Sequence, residues 1–143
     1  MTRVSFHDRV SDASLCYAVV VSRSAGKWVF CKHCMRDTLE SPGGRREDGE
    51  PILETARREL YEETGALEYV MSCVCAYEVA RDVGESSFGM LYYADITAFE
   101  PVLMHEIEKT VLLDGLPSNW TYPDIQPMLI DEIQRRGFVF ETI

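Results

Sequence analysis

Gly44 to Ala66 reads GRREDGEPILETARRELYEETGA. Its glycine start gives way to a segment, Asp48 to Thr64, with helical periodicity: Ile52, Ala56, Leu60 and Glu63 fall near the 3.6-residue repeat, with Leu53 beside them. Asp48 or Gly49 is available as N-cap, Pro51 is tolerated in the first turn, and Gly65 stands where a left-handed residue is wanted after the last turn. The last two turns carry Glu59, Glu62 and Glu63. Spacings of three and four put these carboxylates on one face, where they repel one another unless something neutralises them. Hard oxygen ligands of this kind suit Mg²⁺ or Mn²⁺. The neighbouring Arg58 can pair with one carboxylate and fix its rotamer. Gly43 and Gly44 let main-chain groups approach a metal or a phosphate closely. Taken alone, the three glutamates also fit an ordinary solvated helix face.

Outward from this helix the chain punctuates itself clearly. Upstream, Glu40-Ser41-Pro42-Gly43-Gly44 reads as a loop, because proline forbids a ladder bond and two glycines free the backbone. Leu15 to Ser22 reads as a buried strand, Ser24-Ala25-Gly26 as a turn, and Lys27 to His33 as the partner strand of a hairpin. Residues 1–13 are polar and read as an arm or an early edge element. Downstream, Val70 to Val83 and Ser87 to Ala98 form a long hairpin around Gly84-Glu85, with Phe88, Met90, Tyr92, Ala94 and Ile96 on one face. Val111 to Leu113 is a short strand. Pro123 to Arg136 is a helix with Ile125, Met128, Leu129 and Ile133 on its apolar side, closed by Gly137. The order β-β-α-β-β-(β)-α implies an α/β fold, a mixed β-sheet sandwiched between α-helices, in a single domain over residues 1–143.

Composition narrows the function classes. A chain of 143 residues can bury a core without disulfide or metal staples. No apolar run is long enough to span a bilayer, and the N-terminus MTRVSFHDRV carries no secretory pattern, so a cytoplasmic protein with no membrane contact is expected. The net charge of −10 counts against an extended nucleic-acid surface, which needs clustered Lys and Arg. It is compatible with a small phosphate ligand held through divalent cations. The five cysteines include a CxxC (Cys31, Cys34) and a CxC (Cys73, Cys75). The first pair invites a zinc or redox reading, with His33 or His105 as further ligands. The second reads as two small core residues on one side of a strand.

The 23 residues from Gly44 to Ala66 resemble the Nudix box, G-x5-E-x7-R-E-U-x-E-E-x-G-U, where U is a bulky aliphatic residue. The matches are Gly44, Glu50, Arg58, Glu59, Leu60, Glu62, Glu63 and Gly65; Ala66 departs, being small for the final position. Pro42-Gly43-Gly44 is similar to the family's P-G-G, and Val111 to Pro117 to its W-x-x-L-D-E-L-P stretch. The resemblance extends over roughly residues 14–137. It implies the Nudix fold and hydrolysis of a phosphoanhydride bond in a nucleoside diphosphate derivative, with Mg²⁺ or Mn²⁺ as cofactor. The first expectation for the substrate is a nucleoside triphosphate, with 8-oxo-dGTP among the candidates. ADP-ribose, nucleotide sugars, dinucleoside polyphosphates and RNA 5′ ends are alternatives. Many relatives form homodimers. A nucleotide-sensing module without catalysis is the rival reading, although such modules commonly lose a box glutamate and this set is intact.

By the same resemblance Glu59, Glu62, Glu63 and the Gly43 carbonyl are metal ligands, with Glu59 or Glu62 as base and Arg58 orienting a glutamate. Glu50 braces the box by pairing with a basic residue. Glu106, with Glu108 nearby, is the candidate carboxylate from outside the box. Arg45 and Arg46 are candidates for phosphate, or else solvated loop residues. Tyr77, Phe88, Tyr92, Trp120 and Tyr122 are candidates for stacking on a base, or else core, and Asn119 for reading a purine edge.

Overall fold

The computed structural model describes residues 1–82, 84, 86–101 and 107–138, with backbone only at 107 and 108. Among the described residues there are seven strands and two α-helices: β1 Arg3–His7, β2 Leu15–Ser24, β3 Lys27–His33, β4 Gly43–Arg45, α1 Ile52–Thr64, β5 Ala66–Ala80, β6 Ser87–Phe99, β7 Ile107–Leu113 and α2 Gln126–Arg135. The polar N-terminal arm is the edge strand β1, antiparallel to β5. The sheet order is β1-β5-β6-β2-β3-β7, with β4 paired to β2, and β2 runs parallel to β6 while its other pairings are antiparallel.

Strand β2 organises both layers, because its side chains alternate. Ala18 and Val20 pack with Ala56 and Leu60 of α1, whereas Val19 and Val21 pack with Leu129, Ile130 and Ile133 of α2. The sheet is therefore covered by one helix on each face, the mixed sandwich that the element order implies. Met90, Tyr92, Ala94 and Ile96 of β6 belong to the α1 side. Among the described residues no helix is long and apolar enough to cross a membrane.

Several local expectations need correction. The segment Glu40–Gly44 is not a free loop. Only the N-terminal part of β2 is open to it, since β3 pairs with β2 through Ser22–Ser24 alone. Gly43–Arg45 fills that gap as a strand against Tyr17–Val19, and Glu40 bridges Cys31 of β3. Glycine is required at Gly43, where a Cβ would stand 2.5 Å from the Ala18 carbonyl oxygen. Helix α1 starts at Ile52, with Pro51 rather than Asp48 or Gly49 as its cap. Pro51 is extended (ψ 142°), and its carbonyl accepts from the amides of Glu54 and Thr55. Gly65 does adopt the left-handed conformation (φ 74°) that ends the helix, and β5 begins directly after it. Strand β7 is longer than Val111–Leu113, and α2 is shorter than Pro123–Arg136 because Ile125 has a non-helical backbone. Met128 is exposed and Ile130 takes its place in the core. Cys73 and Cys75 do not share a face. A bulge between them in the β5–β6 pairing leaves Cys73 exposed and Cys75 buried. Cys31 is buried and Cys34 exposed, and all five cysteines are free thiols.

Candidate active site

The carboxylate face of α1 meets β3 and β4, and one arginine organises it. Arg58 donates from Nε and Nη2 to the two oxygens of Glu50 (2.8 and 3.0 Å), a fork-to-fork pair. Its Nη1 donates to Glu59 (2.8 Å) and Glu62 (3.3 Å), and its Nη2 also reaches the Arg45 carbonyl (3.0 Å). Thr55 Oγ1 and the Glu47 amide complete the donors to Glu50. This concentration of donors, Arg58 foremost, holds the Glu50 carboxyl down at about 2. Arg58 is held firmly protonated, chiefly by its bonds to Glu50. The basic partner of Glu50 is thus Arg58, eight positions on and two helical turns away.

Glu63 faces the other way, into the protein. Its Oε1 accepts from the Gly43 amide (2.6 Å), and its Oε2 lies 3.1 Å from His33 Nε2. Burial pushes its carboxyl up to about 8, partly offset by the Gly43 amide and reinforced by the nearby negative charges of Glu59, Glu40 and Glu62. Burial also raises Glu59, against the opposing pull of Arg58. Gly44 lies flat on Glu59: a Cβ there would stand 2.3 Å from the carboxyl carbon. Both glycines of the P-G-G segment are therefore fitted to box glutamates as well as to β2.

Among the described residues no three His, Cys, Asp or Glu side chains converge as a finished metal cage. Arg58 draws Glu59 and Glu62 to one side, while Gly43 and His33 draw Glu63 to the other. The donor chemistry nevertheless fits a divalent ion. Three hard carboxylates come from the last two turns of α1, and burial, with the negative charges of Glu59, Glu40 and Glu62 added to it, holds the Glu63 carboxyl above its ordinary range, a cost that a bound cation relieves.

Beyond the glycines opens a cleft of about 390 Å³. Its lining includes Tyr17, Glu40, Arg45, Tyr77, Arg81 and Tyr122, and Gly43 and Gly44 form its border with the carboxylates. Arg45 stands over the Tyr17 ring, 5.8 Å from its centroid. Tyr77 is buried in the wall, its ring passing over Gly89 of the neighbouring strand, where a Cβ would stand 2.4 Å from the phenolic oxygen.

The structure brings together Gly43, Arg45, Glu50, Arg58, Glu59, Glu62, Glu63, Tyr77 and Tyr122, and leaves other candidates apart. Arg46 is engaged by the Glu50 carbonyl and by Asp12. Phe88 lies against His7, with ring centroids 6.0 Å apart. Trp120 packs edge-on against Phe30 in the α2-side core, and Asn119 donates to the Asp37 carbonyl. Tyr92 is buried on the α1 side. Glu106 and His105 lie outside the described residues. Sequence reasoning passed over Tyr17, Glu40 and Arg81, and gave His33 only to a metal site of its own. The signal for His33 was the two-residue alternation of β3. Val29 packs toward Ala56 and Leu60, so Cys31 and His33 point to the same helix.

The family model of the NUDIX domain matches residues 14–111. The chain is 28% identical to YtkD of Bacillus subtilis (strain 168), which carries the provisional name 8-oxo-dGTP diphosphatase; the match covers 96% of this chain and 92% of that protein. A crystal structure of the Bacillus subtilis pyrophosphohydrolase BsRppH superimposes with a TM-score of 0.79 at 27% identity, covering 97% of this chain and 93% of that one. A NUDIX hydrolase from Nitrosomonas europaea shares the fold (TM-score 0.68, 17% identity, 89% and 95% coverage). With the family match spanning β2 to β7, and the glycine segment and carboxylate helix inside it, the chain belongs to the NUDIX family of hydrolases.

Proposed function

We propose that this Nudix hydrolase cleaves a nucleoside triphosphate to the monophosphate and pyrophosphate, with Mg²⁺ or Mn²⁺ held by Glu59, Glu62, Glu63 and the Gly43 carbonyl oxygen. The observation that carries this reading is the shared border: Gly43 and Gly44 both line the cleft and touch the box glutamates. A nucleoside in the cleft thereby delivers its phosphates to the carboxylate face. The cleft volume is of the size that encloses a small ligand.

A bound divalent ion supplies charge neutralisation at the phosphoryl oxygens and acidifies water. The chain's own residues do the rest. Tyr17, Tyr77 and Tyr122 offer aromatic surface to the base, and Arg45 places a guanidinium beside the glycines for the phosphate chain. Arg58, clamped by Glu50, fixes the Glu59 and Glu62 rotamers, and one of these two carboxylates accepts the proton of the attacking water. The provisional name of YtkD makes an oxidised purine triphosphate the first substrate to try.

The test is product identification by chromatography after incubation with Mg²⁺ or Mn²⁺. The panel holds common and 8-oxo triphosphates, ADP-ribose, nucleotide sugars, diadenosine polyphosphates and a short triphosphorylated RNA. EDTA-sensitive release of a nucleoside monophosphate and pyrophosphate from a triphosphate supports the reading. Turnover confined to another class on the panel replaces the substrate, and no turnover of any of them removes the catalytic reading.

A further inference from the structure

His33 sits at a junction that the box does not account for. Its Nε2 is 3.1 Å from Glu63 Oε2 and 3.1 Å from Glu40 Oε1. Glu40 is buried in the cleft wall, and its Oε1 also takes Arg36 Nη1 at 3.2 Å. A continuous chain, Arg36–Glu40–His33–Glu63–Gly43, therefore runs from the cleft wall to the carboxylate face. Alternation along β3 is unbroken through His33, since the extra residue at the Lys32/His33 register shift lies on β7, so His33 shares the α1 face with Val29.

We propose that His33 is a positioning residue for the metal-binding carboxylates: one imidazole nitrogen ties Glu63 to Glu40 and holds Glu63 in the orientation that a divalent ion needs. The inference rests on the hydrolase reading above. Its physical basis is a shortage of donors. Two buried carboxyl groups share this single Nε2, and among the described residues the Gly43 amide is the other group bonded to Glu63. Outer partners of metal ligands set ligand orientation, and their loss typically costs about 10–100-fold in metal affinity or activity.

The experiment compares wild type, His33→Phe, which keeps a ring but no donor, and His33→Gln, whose amide can still donate. Mn²⁺ affinity is read by calorimetry without nucleotide, folding by melting without metal, and kcat and KM on the substrate found above. The expected result is cooperative melting of both variants. Mn²⁺ affinity and kcat fall about tenfold or more in His33→Phe with KM little changed, and His33→Gln recovers most of both. Should His33→Phe not fold, His33→Asn, whose amide is too short to reach both carboxylates, is judged by the same criteria. Wild-type Mn²⁺ affinity and kcat in the donor-less variant, or no recovery in His33→Gln, overturns the inference alone. A wild-type protein that neither binds Mn²⁺ nor turns over overturns the hydrolase reading and this inference with it.

Discussion

Gly44 and Glu59 are in contact so close that no side chain fits between them: a Cβ on Gly44 would stand 2.3 Å from the Glu59 carboxyl carbon. The glycine that opens the box is thus shaped to a glutamate fifteen positions later. Gly44→Ala must displace Glu59, whose other anchor is Arg58. We predict a fall in kcat of about 10²-fold, the scale expected when a reacting group is misplaced by about 1 Å. The melting temperature should change by only a few degrees, because most of the contact is with a side chain that can swing. Steady-state kinetics beside a thermal melt checks this, and unaltered kcat in a folded Gly44→Ala variant contradicts a role for the Glu59 position.

Arg58 and Glu50 give a stability prediction. Arg58→Met removes the partner of Glu50 and strands a carboxylate that is mostly shielded from water, which should cost about 2 kcal/mol in urea unfolding. The pH dependence follows from the depressed Glu50 carboxyl. Its stabilisation is present above the ordinary carboxylate range and is lost as pH falls toward about 2. In Arg58→Met that acid-side loss should flatten. An acid limb as steep as wild type's would show that the pair is not its source.

Glu63 predicts the opposite slope in metal-free protein. Its folded carboxyl keeps a proton up to about pH 8, while the unfolded chain releases it in the ordinary carboxylate range. Between about pH 5 and pH 8 the folded state therefore binds more protons, and stability falls as pH rises. Millimolar Mg²⁺ or Mn²⁺, by binding the ionised form, should raise the melting temperature most at the alkaline end. Melting curves across this pH range with EDTA or metal decide the matter; a metal shift independent of pH would separate Glu63 from the metal.

Gly89 makes room for Tyr77, whose phenolic oxygen would be 2.4 Å from a Cβ there. Gly89→Ala should push the Tyr77 ring into the cleft, raising KM several-fold and leaving kcat within about twofold, the pattern of binding lost equally from ground state and transition state. A fall in kcat at constant KM would argue that Tyr77 serves the chemistry instead of the nucleoside.

What the chain disclosed in advance was local. The helix, its left-handed stop at Gly65, the β2–β3 hairpin and the spacing of Glu59, Glu62 and Glu63 all follow from contacts a few residues apart. What stayed hidden depends on distant pairings. Gly43–Arg45 becomes a strand only because β3 leaves part of the β2 edge free. His33 reaches Glu63 across thirty positions. Trp120 looked like a base-stacking residue and instead packs on Phe30, a partner ninety positions earlier that spacing gives no means of finding. The bulge separating Cys73 from Cys75 has no marker in the residues on either side of it.

The measurement that bears most directly on the carboxylate face as the hydrolytic centre is kcat for wild type and Glu62→Gln with Mg²⁺, on the triphosphate that wild type turns over. Glu62 is the most exposed of the three glutamates, and Arg58 Nη1 donates to it at 3.3 Å, so the neutral isostere should leave the fold intact. A loss of kcat of more than about 10²-fold, beyond what removal of an outer partner costs, is predicted. Unchanged kcat in the folded variant would contradict the assignment of this face as the site of hydrolysis.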